Sequence, residues 1–332
     1  MISTAVTKLL GITHPIVLAP MGGVAGGKLA AAVTEAGGLG IIGGGYGNPK
    51  AGYGGHEFME REFRAAGNSR IGIGYITWSL AQFPELLDQA LDRKPVAVFL
   101  SFGDEKQFAG KIKAAGTLLI CQVQDVEGAR RAADAGADII VAQGTEAGGH
   151  GAQKRATFAL VPAVVDAVHP IPILAAGGIA DGRGLAAALM LGASGALIGT
   201  RLWATPEALG HNNVKELLLK SSGDTTMRTR IFDIIRELDW PEGYSGRALA
   251  NDFTAAWHGR EAELASRIDA EKEQFWSAMR AGDVSTAVVF AGEGLDMIHD
   301  IKPAGEIVQE IAADAEKALI NPHHFSFLGD NL

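Results

Sequence analysis

The sequence predicts an α/β fold, a (β/α)8 barrel of the TIM type with a smaller, mostly helical domain inserted late in the chain. Short apolar runs alternate with amphipathic stretches as far as residue 200, the pattern of parallel βα units. There are eight such runs, the number that closes a barrel. Of the 44 glycines, 34 precede residue 201, and many cluster just after the apolar runs, where a barrel builds its site. A doubly wound open sheet shares the first two features and stays open as a competitor.

Strands are expected at 16–19, 39–43, 71–76, 96–100, 118–122, 138–142, 172–175 and 196–199. Helical stretches fall between them, among them 28–36, 82–91, 105–114, 126–135 and 183–191. Several end in Ala36-Gly37, Ala115-Gly116, Ala135-Gly136 or Leu191-Gly192, where glycine takes the left-handed position that turns the chain into the next strand. From about residue 205 to 280 the β signal fades, and 214–220, 230–238 and 260–270 read as helices. An apolar run at 287–292 and a final helix at 304–320 follow. The expected division is a barrel formed by 1–205 and 283–332, with 206–282 as the helical insert. Charge breaks at the same place: 16 basic and 16 acidic residues precede position 201, whereas 13 and 22 follow it.

Composition narrows the function. Hydrophobic residues make up 47% and charged residues 20% of the 332, enough for a packed core and too apolar for a disordered chain. A net charge of −9 argues against nucleic acid as a partner. Cys121, the one cysteine, lies inside the fifth strand; it excludes an internal disulfide framework and reads as a buried, inert thiol. Residues 9–27 lack charged side chains, but Pro15, Pro20 and five glycines prevent a continuous helix in lipid. With no basic n-region at the start, the expected setting is soluble and cytoplasmic, with no membrane partner.

The motifs differ in strength. Gly22 to Lys28 matches the first seven positions of a P-loop, but Leu29 stands where magnesium ligation needs a hydroxyl. The segment 175–182, with Gly177 and Gly178, follows the seventh strand, and Gly199-Thr200-Arg201 follows the eighth. Barrels often hold a phosphate between these two loops, because glycines admit backbone N–H groups to the anion; tight turns are the plain alternative. After the sixth strand comes Gln143-Gly144-Thr145-Glu146-Ala147-Gly148-Gly149-His150-Gly151. Of nine histidines only His150 lies in such a glycine cluster, where an imidazole suits proton abstraction or anion binding. Glu146 and His150 lack a third metal ligand, so no metal is expected. Ala19-Pro20-Met21 offers apolar surface to a flat ligand, or simply packs in the core. The glycine-rich stretch 43–47 is a rim or a turn, and His323-His324 reads as solvated tail.

Taken together, Ala19-Pro20-Met21, the segment 36–40, Gln143 with 146–150, 176–178 and 199–201 resemble the nitronate monooxygenase family, formerly called 2-nitropropane dioxygenases. The resemblance implies FMN on a barrel. Ala19, Pro20, Met21, Gly74, Gln143, Gly148 and Gly149 would contact the flavin and its ribityl chain, while Gly177, Gly178, Gly199, Thr200 and Arg201 would hold its phosphate. His150 matches the family's catalytic histidine, which would deprotonate a nitroalkane or orient a nitronate. The nitronate would then react with O2 to give a carbonyl compound and nitrite, the flavin carrying the redox chemistry. Gly74 stands where many relatives carry asparagine.

Two rivals remain at this stage. An FMN-dependent NAD(P)H reductase of quinones or enoyl thioesters shares the flavin, and a flavin-free phosphate-binding barrel shares only the loops. A homodimer is compatible with all three.

Overall fold

A computed structural model describes residues 1–47 and 54–320. The short apolar runs become parallel strands because both their faces are buried. They are β1 (Ile16–Leu18), β2 (Ile41–Gly45), β3 (Gly72–Ile76), β4 (Ala97–Ser101), β5 (Leu118–Val123) and β6 (Ile139–Gln143). After a short extra strand, β7 (Gly149–Ala152), come β8 (Ile173–Ala176) and β9 (Gly195–Ile198). Alternate side chains point to opposite faces. Val17, Phe99, Ile120, Val141, Leu174 and Leu197 fill the barrel interior. Leu18, Val98, Leu100, Cys121, Ile140 and Ile198 pack under the outer helices.

The sheet runs β1-β9-β8-β6-β5-β4-β3-β2, and its two ends meet. Val17 bridges Leu39 in parallel, with Leu18 N–H donating to Leu39 O at 2.9 Å and Leu39 N–H to Ile16 O at 3.0 Å. That closure removes the open-sheet alternative. The helix Ala5–Leu10, which sequence reasoning did not anticipate, adds Val6 and Leu10 to the interior cluster.

The last barrel helix, Ala304–Ile320, packs between Gly182–Met190 and Gly27–Glu35. Residues 204–303 therefore lie between the eighth barrel strand and its helix. This stretch contains helices, as expected, but also β10 (Thr226–Thr229) and β11 (Tyr244–Leu249). These two and β7 form an antiparallel sheet in the order β10-β11-β7. The segment 144–151, expected as a loop, thus holds a strand, with His150 opposite Gly246. The apolar run at 287–292 forms no strand.

The P-loop-like stretch is filled from inside the protein. Glu62, 4% exposed, accepts the Gly27 N–H at 2.9 Å, so a carboxylate already sits at that helix N-terminus. Among the described residues no helix is long and apolar enough to cross a membrane. His323 and His324 lie outside the described residues.

Candidate active site

The strand ends open into one cavity of about 450 Å³. Ala19, Pro20 and Met21 enter it from the end of β1, Gly74 from β3, and Gln143 from β6. Gly148 comes from the turn into β7, Gly149 and His150 from β7 itself, and Gly177, Gly178, Gly199, Thr200 and Arg201 from beyond β8 and β9. All thirteen residues singled out from the sequence therefore line the same space.

The phosphate-type turns leave neighbouring strands, since Ala176 pairs with Leu197. Gly178 has φ +71°, a region open to glycine, and a Cβ there would meet nothing closer than Glu146 Cβ at 3.7 Å. The N–H groups of Gly178, Gly199 and Thr200 donate to no acceptor among the described residues. The following helix is capped separately, Asp181 Oδ1 accepting Gly184 N–H at 3.0 Å. Paired turns with free donors and no Cβ in the way fit an anionic phosphate. Arg201 differs from expectation at its side chain. Its guanidinium is buried against Asp300, Nη2 to Oδ1 at 2.6 Å and Nη1 to the Asp300 carbonyl at 3.2 Å, so it is already engaged.

Apolar surface lies next to these donors. Pro20 packs directly on Gly74: a Cβ there would stand 2.4 Å from Pro20 Cβ, which excludes an asparagine in this backbone. Gln143 is fixed at both ends of its amide. Its Oε1 accepts from Gln124 Nε2 at 2.9 Å and its Nε2 donates to the His150 carbonyl at 3.0 Å. Glu146 caps the helix Thr157–Val168, accepting Thr157 N–H at 2.9 Å and Oγ1–H at 3.0 Å. Its role in the motif is therefore to hold the loop, and no metal-binding cluster occurs among the described residues.

His150 is the most constrained group. Its Nε2 lies 2.8 Å from Asp233 Oδ1, and the same oxygen accepts Arg236 Nη2 at 3.0 Å. The indole of Trp240 stacks on the imidazole, 3.6 Å between centroids at 4°. Trp240 Nε1 donates to the Tyr46 hydroxyl at 2.9 Å, and Phe290 closes another side at 5.2 Å. Burial pushes His150 below its ordinary value; Asp233 opposes this, while Arg236 and Arg228 add to it. Burial pushes Asp233 the other way, yet His150 and Arg236 hold it below the usual carboxylate range. The pair therefore rests as neutral imidazole and carboxylate. Arg228, lowered to about 10 mainly by burial, ties Gly151 O, Ser245 O and Thr145 O together and anchors the small sheet.

Asp233, Arg236 and Trp240 were not singled out from the sequence. The stretch 43–47, expected as a rim or a turn, instead continues β2 as far as Gly45, and the turn that follows it delivers Tyr46 to the aromatic wall. One signal was readable: Asp233 interrupts the apolar run Ile231-Phe232-Asp233-Ile234-Ile235, and a carboxylate there has to be buried or break the run.

The nitronate monooxygenase model matches residues 3–66 and 74–314. The chain is 32% identical to a nitronate monooxygenase of Neurospora crassa, covering 92% of this chain and 90% of that one. Among solved structures, FabK from Thermotoga maritima superposes with a TM-score of 0.82 at 32% identity, covering 96% of this chain and 98% of FabK. A nitroalkane oxidase from Streptomyces ansochromogenes gives 0.78 at 29% identity, over 95% and 99%. The chain belongs to the nitronate monooxygenase family and is an oxidoreductase enzyme of a flavin-dependent type.

Proposed function

We propose that this chain is an FMN-dependent nitronate monooxygenase that converts alkyl nitronates, such as propionate 3-nitronate, and O2 to a carbonyl compound and nitrite. The observation that carries the reading is the shared cavity: free N–H donors at Gly178, Gly199 and Thr200 on one side, and the His150–Asp233 pair on the other. The turns would take the FMN phosphate, and Ala19, Pro20 and Met21 would face the ring system beside Gly74. Gly148 and Gly149 keep the chain close to that surface, with Gln143 between it and His150. FMN, when bound, supplies the redox chemistry. His150 positions the nitronate, or takes a proton from a neutral nitroalkane, in a cavity whose aromatic wall of Tyr46, Trp240 and Phe290 excludes water.

The likeness to FabK favours one second reading, an FMN-dependent NAD(P)H reductase of quinones or enoyl thioesters. One experiment separates the two. The flavin-loaded protein is mixed without oxygen with propionate 3-nitronate or with NADH, and nitrite is then measured in air. Bleaching by the nitronate and nitrite release support the monooxygenase; bleaching by NADH alone overturns it in favour of the reductase.

A further inference from the structure

This inference rests on the nitronate reading and deepens it. We propose that Asp233 is a positioning residue that keeps the proton of His150 on Nε2 and leaves Nδ1 as a base, so that this site accepts neutral nitroalkanes as well as preformed nitronates.

The hydrogen-bond inventory fixes the tautomer. Asp233 Oδ1 receives both His150 Nε2 and Arg236 Nη2, and the side chains of Asp233 and Arg236 are each 3% exposed. A carboxylate paired with a guanidinium is an acceptor only, so the proton of the 2.8 Å contact belongs to Nε2. In a neutral imidazole that leaves the lone pair on Nδ1, for which no partner occurs among the described residues.

The ring is also held against flipping. Trp240 covers one face in parallel, and its own indole is tethered to Tyr46. The backbone of His150 is clamped by Gln143 and by pairing with β11. The charged groups around the imidazole are Asp233, Arg236 and, from β10, Arg228; the segment crossing the cavity presents Phe290.

The step balances as a proton transfer. The Cα–H bond of the nitroalkane breaks and its electron pair moves into the nitro group, giving the nitronate. The proton forms an N–H bond at Nδ1, and the imidazolium is stabilised by the Asp233 carboxylate 2.8 Å from Nε2. Arg236 keeps that carboxylate ionised, so it stays an acceptor throughout. A preformed nitronate needs no such base, and this difference makes the proposal testable.

The test uses the flavin-loaded parent, Asp233→Asn and Asp233→Glu, with nitroethane and with preformed ethylnitronate. Asp233→Asn is expected to lower kcat/KM for nitroethane by about 100-fold and to affect ethylnitronate far less. Asp233→Glu should recover part of the loss, and the acidic limb of the nitroethane pH profile should move in Asp233→Asn. Histidine ¹⁵N spectra of the parent, which need no turnover, should show His150 with Nε2–H and bare Nδ1. Equal losses on both substrates, or a parent His150 protonated on Nδ1, would overturn the proposal. Should Asp233→Asn not fold, the parent spectrum and Asp233→Glu still decide. Should the parent release nitrite from neither substrate, the nitronate reading fails and the tautomer alone judges Asp233.

Discussion

Gly148→Ala is the most demanding test of how the site is built. The new Cβ would stand 2.6 Å from Ala291 C and from Gly292 N, whereas ordinary contact begins near 3.4 Å. The crossing segment must therefore retreat by about 0.8 Å, a displacement that side-chain rotation cannot absorb because the obstacle is backbone. That segment is tied down by Gly292 N–H to Thr200 Oγ1 at 3.0 Å and Glu293 N–H to Glu146 O at 2.9 Å. Stretching both past hydrogen-bond range costs about 0.5–1.5 kcal/mol each, and overpacking adds roughly 1–3 kcal/mol. A loss on the order of 3 kcal/mol follows. Gly199→Ala is the control: its Cβ meets only Met21 Sδ at 3.5 Å and Ala19 Cβ at 3.6 Å, so the change should stay within about 0.5 kcal/mol. Urea unfolding of parent and both variants, with and without flavin, measures the contrast. Equal midpoints for Gly148→Ala and Gly199→Ala would refute the argument.

Three further predictions concern the same site. His150→Asn should keep its flavin and lose roughly 10²–10⁴ in turnover of neutral nitroalkanes, and an unchanged rate would remove His150 from the chemistry. Gly178→Val places a β-branched residue at φ +71°, a strain of about 1–3 kcal/mol, in the turn assigned to the phosphate. Flavin content should fall, and equal content in variant and parent would displace the phosphate from that turn. Because His150 is held below its ordinary value in the folded protein, its stabilising effect is present above about pH 6.5 and lost as pH falls below it. Unfolding midpoints of parent and His150→Gln should therefore converge on acidification; parallel curves from neutral to mildly acidic pH would contradict this.

Much of the site was readable because its parts are local. The turns at 177–178 and 199–200 follow strands that any apolar run of that length announces, and β8 and β9 are neighbours because consecutive βα units are adjacent. The same logic placed Gln143 and the 148–150 segment at the mouth of β6. Arg201 shows where local reasoning stops: its backbone lies with the turn, but its charge is taken by Asp300, 99 residues away.

By itself the sequence determined the eight alternating strand and helix units and the glycine turns at several of their ends, since those patterns are enforced within a few residues. Closure into a barrel was decided only by the tertiary bridge between Val17 and Leu39. Only the tertiary structure decided what kind of histidine position 150 holds. The strand Gly149–Ala152 reads Gly-His-Gly-Ala, with no intrinsic preference for extended pairing, and exists because β11 lies beside it. Asp233, 83 residues on in the chain, reaches Nε2, and Trp240 arrives on the ring face from a link between elements. A carboxylate is driven into the interior only where a specific cation and imidazole meet it, and no local pattern encodes that meeting.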